Sequence, residues 1–242
     1  MAEKQKGKLL YEGKAKKVWE VAGDPDHVIQ EFKNDATAFN GEKRGSWDAK
    51  GTVNNTVASF LFQYLEQHGI HTHFVEQLSP NEMLIKKLTI VPLEVIMRNR
   101  AAGSFVKRYG APEGMVFAQP TFEFSYKRDD LGDPLINESH ALAMGIATEA
   151  DIASIRKTAM RVNELLKSFF EERGITLVDF KLEFGHHKGE MQLGDEISPD
   201  TCRFWDAATG KKLDKDRFRF DLGGVEDAYA EMLRRITGEV IA

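Results

Sequence analysis

The feature that most restricts how this chain can fold is the strict alternation from Leu177 to Gly185, LVDFKLEFG. In a β-strand successive side chains point to opposite faces, so Val178, Phe180, Leu182 and Phe184 share one face and Asp179, Lys181 and Glu183 the other. One face is core and the other is charged. A charged face suits the solvated side of an antiparallel edge, and it also suits the wall of a catalytic site. The next run, HHKGEMQLGDEISPD, supplies a turn and a second strand. A three-residue loop of His187, Lys188 and Gly189 puts the glycine where a positive φ is wanted. That register pairs His186 with Glu190 and Lys181 with Asp195, and leaves Glu183 on the neighbouring diagonal. Asp179, Lys181, Glu183 and Asp195 then converge. A loop one residue different brings Glu196 to that face instead, so both assignments stay open. Three carboxylates around one ammonium repel one another unless a further positive group joins them. Hard oxygen ligands of this kind suit magnesium, which takes one or two carboxylates and completes its shell with water and phosphate.

Composition bounds the rest. A chain of 242 residues, 42% hydrophobic and 29% charged, reads as a soluble globular protein that buries roughly 70 to 75% of its unfolded surface. The length suits one large domain or two closely packed lobes, and there is no Pro-, Gly- or Ser-rich linker and no internal repeat. A net charge of -5 argues against a general nucleic-acid binder, because phosphate-backbone affinity needs a basic surface. The single cysteine, Cys202, rules out an internal disulfide and fits a reducing compartment. The N-terminal residues lack the apolar stretch of a signal peptide, and no run approaches the length of a membrane span. A cytoplasmic protein without membrane or nucleic-acid partners is expected.

The periodicity predicts strands early, with helices between them. KLLYEGKAKKVWEV reads as two strands around a basic turn, and HVIQEFKND, THFVEQL, EMLIKKL and TIVPLEVIMRN as further strands. A helix is expected through Val53, Val57, Phe60, Leu61, Tyr64 and Leu65, stopping at Gly69. NRAAGSFVKRYG reads as a short helix. The longest helix opens at Thr148, with Asp151 completing a capping-box-like pair, and a final helix carries Val225, Tyr229, Met232, Leu233 and Ile236. The class is α+β.

Carboxylates that suit magnesium direct attention to phosphate. There is no GxxxxGK[ST] loop and no GxGxxG after a strand. In YEGKAKKV, Gly13 lets the backbone approach a ligand closely, while Lys14 and Lys16 offer ammonium groups to anionic oxygens. The same lysines would also suit a solvated hairpin tip. In VPLEVIMRNRAAGS, Arg98 and Arg100 end a strand before Ala101, Ala102, Gly103 and Ser104, the makings of an anion pocket or of a plain pair of surface arginines. Arg203 is a possible third cation. His71-x-His73 and His186-His187 lack the further ligands of a zinc site, and Cys202 lacks a base partner, so these read as structural.

VPLEVIMRNRAAGS and LVDFKLEFG together resemble the two signature segments of the phosphoribosylaminoimidazole-succinocarboxamide synthase (SAICAR synthetase) family of purine biosynthesis. YEGKAKKV, NDATAFNG, KGTVNNTVASFLF, DPLINES, GDEISPD and DKDRFRFDLGG resemble it in the same order, roughly from Lys8 to Ile236. No fused carboxylase domain is visible, which matches the stand-alone bacterial type. The resemblance implies a two-lobed ATP-binding fold, with a strand-rich nucleotide-binding lobe over 1–87 and a mixed substrate- and metal-binding lobe over 88–242. It implies an ATP-dependent ligase that joins L-aspartate to the carboxylate of carboxyaminoimidazole ribonucleotide, giving SAICAR, ADP and phosphate with magnesium through an acyl phosphate, and working as a homodimer. Carried over by position, Gly13, Lys14, Ala15 and Lys16 resemble the flap over the ATP phosphates, Val18 and Ile90 the adenine walls, and Lys86 a neighbour of the nucleotide. Glu183 and Asp195 look like the magnesium carboxylates. Arg98, Ser104 and Arg203 match the 5′-phosphate pocket, and Asp179 with Lys181 the place of the imidazole carboxylate and amino group. Lys127 is a candidate for the phosphate or aspartate side, followed by Asp133 and Asn137. The groups that hold aspartate are left open. A small-molecule kinase of related architecture and a non-catalytic nucleotide binder are the alternatives.

Overall fold

A computed structural model describes residues 4–38 and 42–238, so Phe39, Asn40 and Gly41 of the NDATAFNG segment lie outside the described residues. The first sheet is antiparallel and ordered β1 (Lys6–Glu12), β2 (Lys16–Val21), β3 (Asp24–Phe32), β7 (Glu82–Lys86) and β6 (Phe74–Ser79). β4 (Asp35–Ala38) and β5 (Lys43–Ser46) pair separately, and α1 (Lys50–Gln67) precedes β6. The second sheet runs β10 (Leu135–Ile136), β9 (Val116–Tyr126), β8 (Thr89–Arg100), β11 (Ile175–His187) and β12 (Glu190–Gly194). β13 (Cys202–Asp206) pairs with the first half of β11, and β12 with the second half. Helices α2 (Ser104–Tyr109), α3 (Glu138–Ala143), α4 (Glu149–Glu171), α5 (Asp216–Arg219) and α6 (Val225–Thr237) complete a two-lobed α+β fold.

Apolar periodicity accounts for the packing. Val53, Val57, Leu61 and Leu65 of α1 are buried, as are Ile155, Val162, Leu166 and Phe169 of α4. They share one hydrophobic cluster with Val28, Met83 and Ile85 of the first sheet and with Val95, Leu182 and Phe184 of the second. The two sheets therefore stand on a common core. α1 ends where expected, with Gly69 at φ +81, its N–H on Glu66 O and the Ile70 N–H on Leu65 O, both at 3.0 Å. That double bond is the Schellman arrangement that a glycine at this position permits. Thr148 and Asp151 form the expected capping box of α4.

One expectation needs correction, and one open alternative is decided. The hairpin loop has two residues, not three: Lys188 and Gly189 have φ of 51 and 86, His187 pairs with Glu190, and Glu183 pairs with Gly194. Two successive left-handed residues make the turn whose twist matches the strands it joins. Nor is β11 a solvated edge. It lies between β8 and the pair β12 and β13, and Asp179 and Glu183 are only 3% and 4% exposed. β9 was not foreseen, because Pro120 interrupts its pattern and falls in the irregular stretch of the β8–β9 register.

Candidate active site

A cavity of about 500 Å³ opens between the sheets, lined by the β1–β2 turn, the segment joining β7 to β8, and the charged face of β11. The turn closes through Gly13 N–H on Lys16 O at 2.8 Å, and Lys33 N–H on Ala15 O at 2.8 Å ties it to β3. Gly13, Lys14, Ala15, Lys16, Val18, Lys86, Ile90 and Lys127 all line this cavity. Lys86 Nζ donates to Thr72 O at 2.8 Å, and Lys14 Nζ reaches Asp129 Oδ1 at 2.9 Å on the exposed rim. Val18 and Ile90 supply apolar wall.

The floor is a ladder of opposite charges. Lys181 Nζ lies 2.6 Å from Glu183 Oε1, 3.0 Å from Glu94 Oε1 and 3.4 Å from Asp195 Oδ2. Lys127 Nζ donates to Glu183 Oε1 at 2.7 Å. Lys16 Nζ pairs with Asp195 Oδ1 and lies 3.5 Å from Glu196 Oε1. Adjacent residues of an extended strand point to opposite faces. Asp195 and Glu196 both reach Lys16 because Asp195 takes φ +60, a left-handed kink just past β12. The choice between them that the register left open thus ends with both residues lining the cavity. Burial works against the charge on Asp195, yet Lys16 and Lys181 hold its carboxyl well below the usual range. Burial would lower Lys16, and Asp195 and Glu196 more than offset that. Glu196 is pushed up, chiefly by burial. Glu94 gave no separate signal in the sequence, since it needs a neighbouring strand to meet Lys181, and Glu196 stood there only as the alternative to Asp195.

These donors fit magnesium in a specific way. Among the described residues no group of three His, Cys, Asp or Glu side chains is placed to cage an ion. Glu183 and Asp195 instead supply two carboxylates to one cavity, the number magnesium takes when phosphate oxygens and water complete its shell.

Two residues before Lys181 on the same face stands Asp179. It is the register partner of Arg98 on β8 and of Arg203 on β13, so the central strand carries one carboxylate between two guanidinium groups. Arg98 Nη1 donates to Asp179 Oδ2 at 2.7 Å, and Arg203 Nη1 to the same oxygen at 2.9 Å. Behind each arginine is a second carboxylate: Glu123 Oε1 takes Arg98 Nε at 2.8 Å, and Asp216 Oδ2 takes Arg203 Nε at 2.8 Å. Arg98 Nη2 donates to Ser104 Oγ at 3.1 Å. Gly103 has φ +54, and a Cβ there would lie 2.3 Å from Arg203 Nη2, so only glycine admits that guanidinium. Glu123 went unseen because β9 did. Arg100 stays outside, by a separate depression with Lys167 and Glu171.

Other candidates have structural roles. Asn137 caps α3, its side chain accepting from His140 N–H at 3.0 Å, while Asp133 lines the cavity and accepts from Arg128 N–H at 2.9 Å. Cys202 is buried, and burial pushes its thiol up, away from the thiolate form. His186 Nε2 lies 2.9 Å from Asp151. His73 lines the cavity, and burial, then Lys16, pushes it down to about 3. The unfolded imidazole takes a proton near its ordinary pKa and the folded one does not, so stability falls as pH drops below about 6.5. By pH 5 the loss is about 2 kcal/mol. His73→Phe should remove that part of the acid slope in urea unfolding at pH 7 and pH 5. An unchanged slope would mean that His73 is protonated in the fold.

The sequence profile of the SAICAR synthetase family matches residues 9–236. The phosphoribosylaminoimidazole-succinocarboxamide synthase of Chlorobaculum parvum is 60% identical over 228 residues, 94% of this chain and 97% of that one. A SAICAR synthetase in complex with ADP superposes with a TM-score of 0.92 at 49% identity, covering 96% of this chain and 99% of its own. The synthase of Ehrlichia chaffeensis does so with a TM-score of 0.93 at 44% identity, covering 97% and 100%. The similarity spans both sheets and the whole cavity between them, and the chain belongs to the SAICAR synthetase family.

Proposed function

We propose that the chain catalyses ATP-dependent joining of L-aspartate to carboxyaminoimidazole ribonucleotide, giving SAICAR, ADP and phosphate. The observation that carries this reading is the single charged face of β11. Lys181 and Glu183 line one cavity with the lysine turn, Asp195 bridging Lys181 to Lys16, and farther along the same face Asp179 holds two arginines. A carboxylate is a poor electrophile, because its charge repels the amine and it has no good leaving group. Phosphorylation by ATP at one oxygen removes both obstacles, and the amine of aspartate then displaces phosphate from the acyl phosphate. Phosphoryl transfer of this kind asks for cations at the migrating charge and for alignment.

The family resemblance, with the positions of these residues, supports the following roles. The Gly13–Lys16 turn covers the ATP phosphates, with Val18 and Ile90 against the adenine and Lys86 beside it. Lys127 lies on the phosphate side. Arg98, Arg203 and Ser104 hold the 5′-phosphate of the ribonucleotide, and Asp179 and Lys181 face its imidazole substituents. Glu183 and Asp195 hold magnesium, which neutralises charge on the transferring phosphoryl group when bound. The change of sheet between Lys86 and Thr89 supports a nucleotide lobe over 1–87 and a substrate lobe over 88–242. The lone buried cysteine supports a reducing, cytoplasmic setting, and a homodimer is the assembly that the family resemblance leads one to expect.

The test is purified protein with ATP, magnesium, carboxyaminoimidazole ribonucleotide and aspartate. Product absorbance should require all of them, with ADP and phosphate formed in step. A phosphorylated product that accumulates without aspartate would identify a kinase instead.

A further inference from the structure

The inner end of the cavity holds two charged side chains that the roles above leave unused. Glu196 is 3% exposed and lines the cavity, and its Oε2 is buried with no hydrogen-bond partner among the described residues. Leaving a buried carboxylate oxygen without a donor is costly, and such an atom in a native site calls for a ligand or a water. Lys215 lines the same cavity and reaches Asp200 Oδ2 only at 3.4 Å. Asp200 is already engaged: Lys50 Nζ lies 2.6 Å from that oxygen, and Tyr229 donates to the other at 2.6 Å. Two ammonium groups thus face one carboxylate, and burial holds Lys215 below its ordinary pKa. An ammonium has three donors, and Lys215 has one long bond.

Their place in the chain sets their neighbours. Glu196 follows Asp195, and Lys16 lies within reach of both. Lys215 precedes Asp216, which holds Arg203. The pair therefore lines the cavity together with Lys16, Lys181 and Asp195, and the chain at Lys215 leads directly to the residue that holds Arg203. An unpartnered acceptor and an under-used cation on one wall match an ammonium and a carboxylate carried by one small molecule, which is the chemistry of an α-amino acid. Resting on the ligase reading, we propose that Glu196 and Lys215 form the amino-acid subsite. Glu196 Oε2 accepts from the amino group of L-aspartate, and Lys215 donates to one of its carboxylates.

The experiment compares the parent with Lys215→Met, Lys215→Arg and Glu196→Gln under saturating magnesium ATP and ribonucleotide. ADP calorimetry reports whether each variant retains its nucleotide site. Lys215→Met and Glu196→Gln should each raise the aspartate KM at least tenfold, with the ATP and ribonucleotide KM values within about twofold of the parent. Lys215→Arg, which keeps the charge, should recover most of the affinity. Succinate, which has both carboxylates and no amine, serves as the second probe. It should inhibit the parent competitively against aspartate and lose potency in Lys215→Met, while Glu196→Gln leaves its potency intact. An aspartate KM unmoved in both variants, or all three KM values raised together, overturns the subsite. Failure of succinate to compete in the parent overturns it too, whether or not the variants fold. A parent that forms product without aspartate overturns the ligase reading instead, so the two failures are distinct.

Discussion

Asp195→Asn should lower turnover by about a thousandfold or more, since a carboxylate that holds a phosphate-bound metal acts on several kcal/mol of barrier. The same change should erase the rise in melting temperature that magnesium ADP gives the parent. The metal-free protein should also suffer. Asp195 is the anion opposite both Lys16 and Lys181, and removing one partner of a buried pair typically costs about 3 to 5 kcal/mol. Here Lys16 keeps Glu196 and Lys181 keeps Glu183 and Glu94, so a smaller cost of about 1 to 3 kcal/mol is expected. The pH dependence has a definite sign. A carboxyl held low in the fold contributes stability above its unfolded pKa, and that stability is lost as pH falls through the folded value. The stability gap between parent and variant should therefore narrow as the solution is acidified below about pH 4. Melting curves with and without magnesium ADP, run beside activity, separate two roles. A lower apo melting temperature with near-normal turnover would leave Asp195 as scaffolding.

Arg98→Ala should raise the ribonucleotide KM by about a hundredfold or more while the ATP KM hardly moves. Two charge-assisted bonds at about 1.5 to 3 kcal/mol each account for that size. Stability should fall as well, by about 3 to 5 kcal/mol, because Asp179 and Glu123 both lose a buried partner. Gly103→Ala is the companion variant. It removes no charge but drives a methyl group into Arg203 and strains a left-handed residue, so it should also weaken the ribonucleotide selectively. KM values for both substrates, with calorimetry of ribonucleotide binding, decide the matter. Equal losses for ATP and ribonucleotide would mean that the arginines serve the fold.

Some of this was legible in the chain and some was not, for identifiable reasons. The alternation in LVDFKLEFG placed Phe180 and Leu182 in the core and Asp179, Lys181 and Glu183 on one opposite face, because side-chain direction in a strand is a local property. The same holds for the helix from Lys50 to Gln67 and its glycine stop, and for the capping box of Thr148 and Asp151. Register was less secure. Whether Lys188 and Gly189 or three residues make the turn depends on two positive φ angles that the residue types permit but do not compel. β9 was lost to Pro120, and with it Glu123 behind Arg98.

Residue pattern was sufficient for the class of the fold, the lysine turn, Arg98 with the small residues after it and the charged strand, since each is encoded within a dozen neighbouring positions. Their meeting was not. Asp179 touches Arg98 and Arg203 because β8 and β13 flank β11 at one point, a pairing made across long separations in the chain. Asp195 and Glu196 share Lys16 because one residue leaves the extended conformation, which no alternation rule anticipates. Asp200 faces two lysines at once because the loop after β12 is pressed between α1 and the segment before α5. Contacts of this kind are set by how the core closes, and burial then turns a row of separate charges into one electrostatic unit.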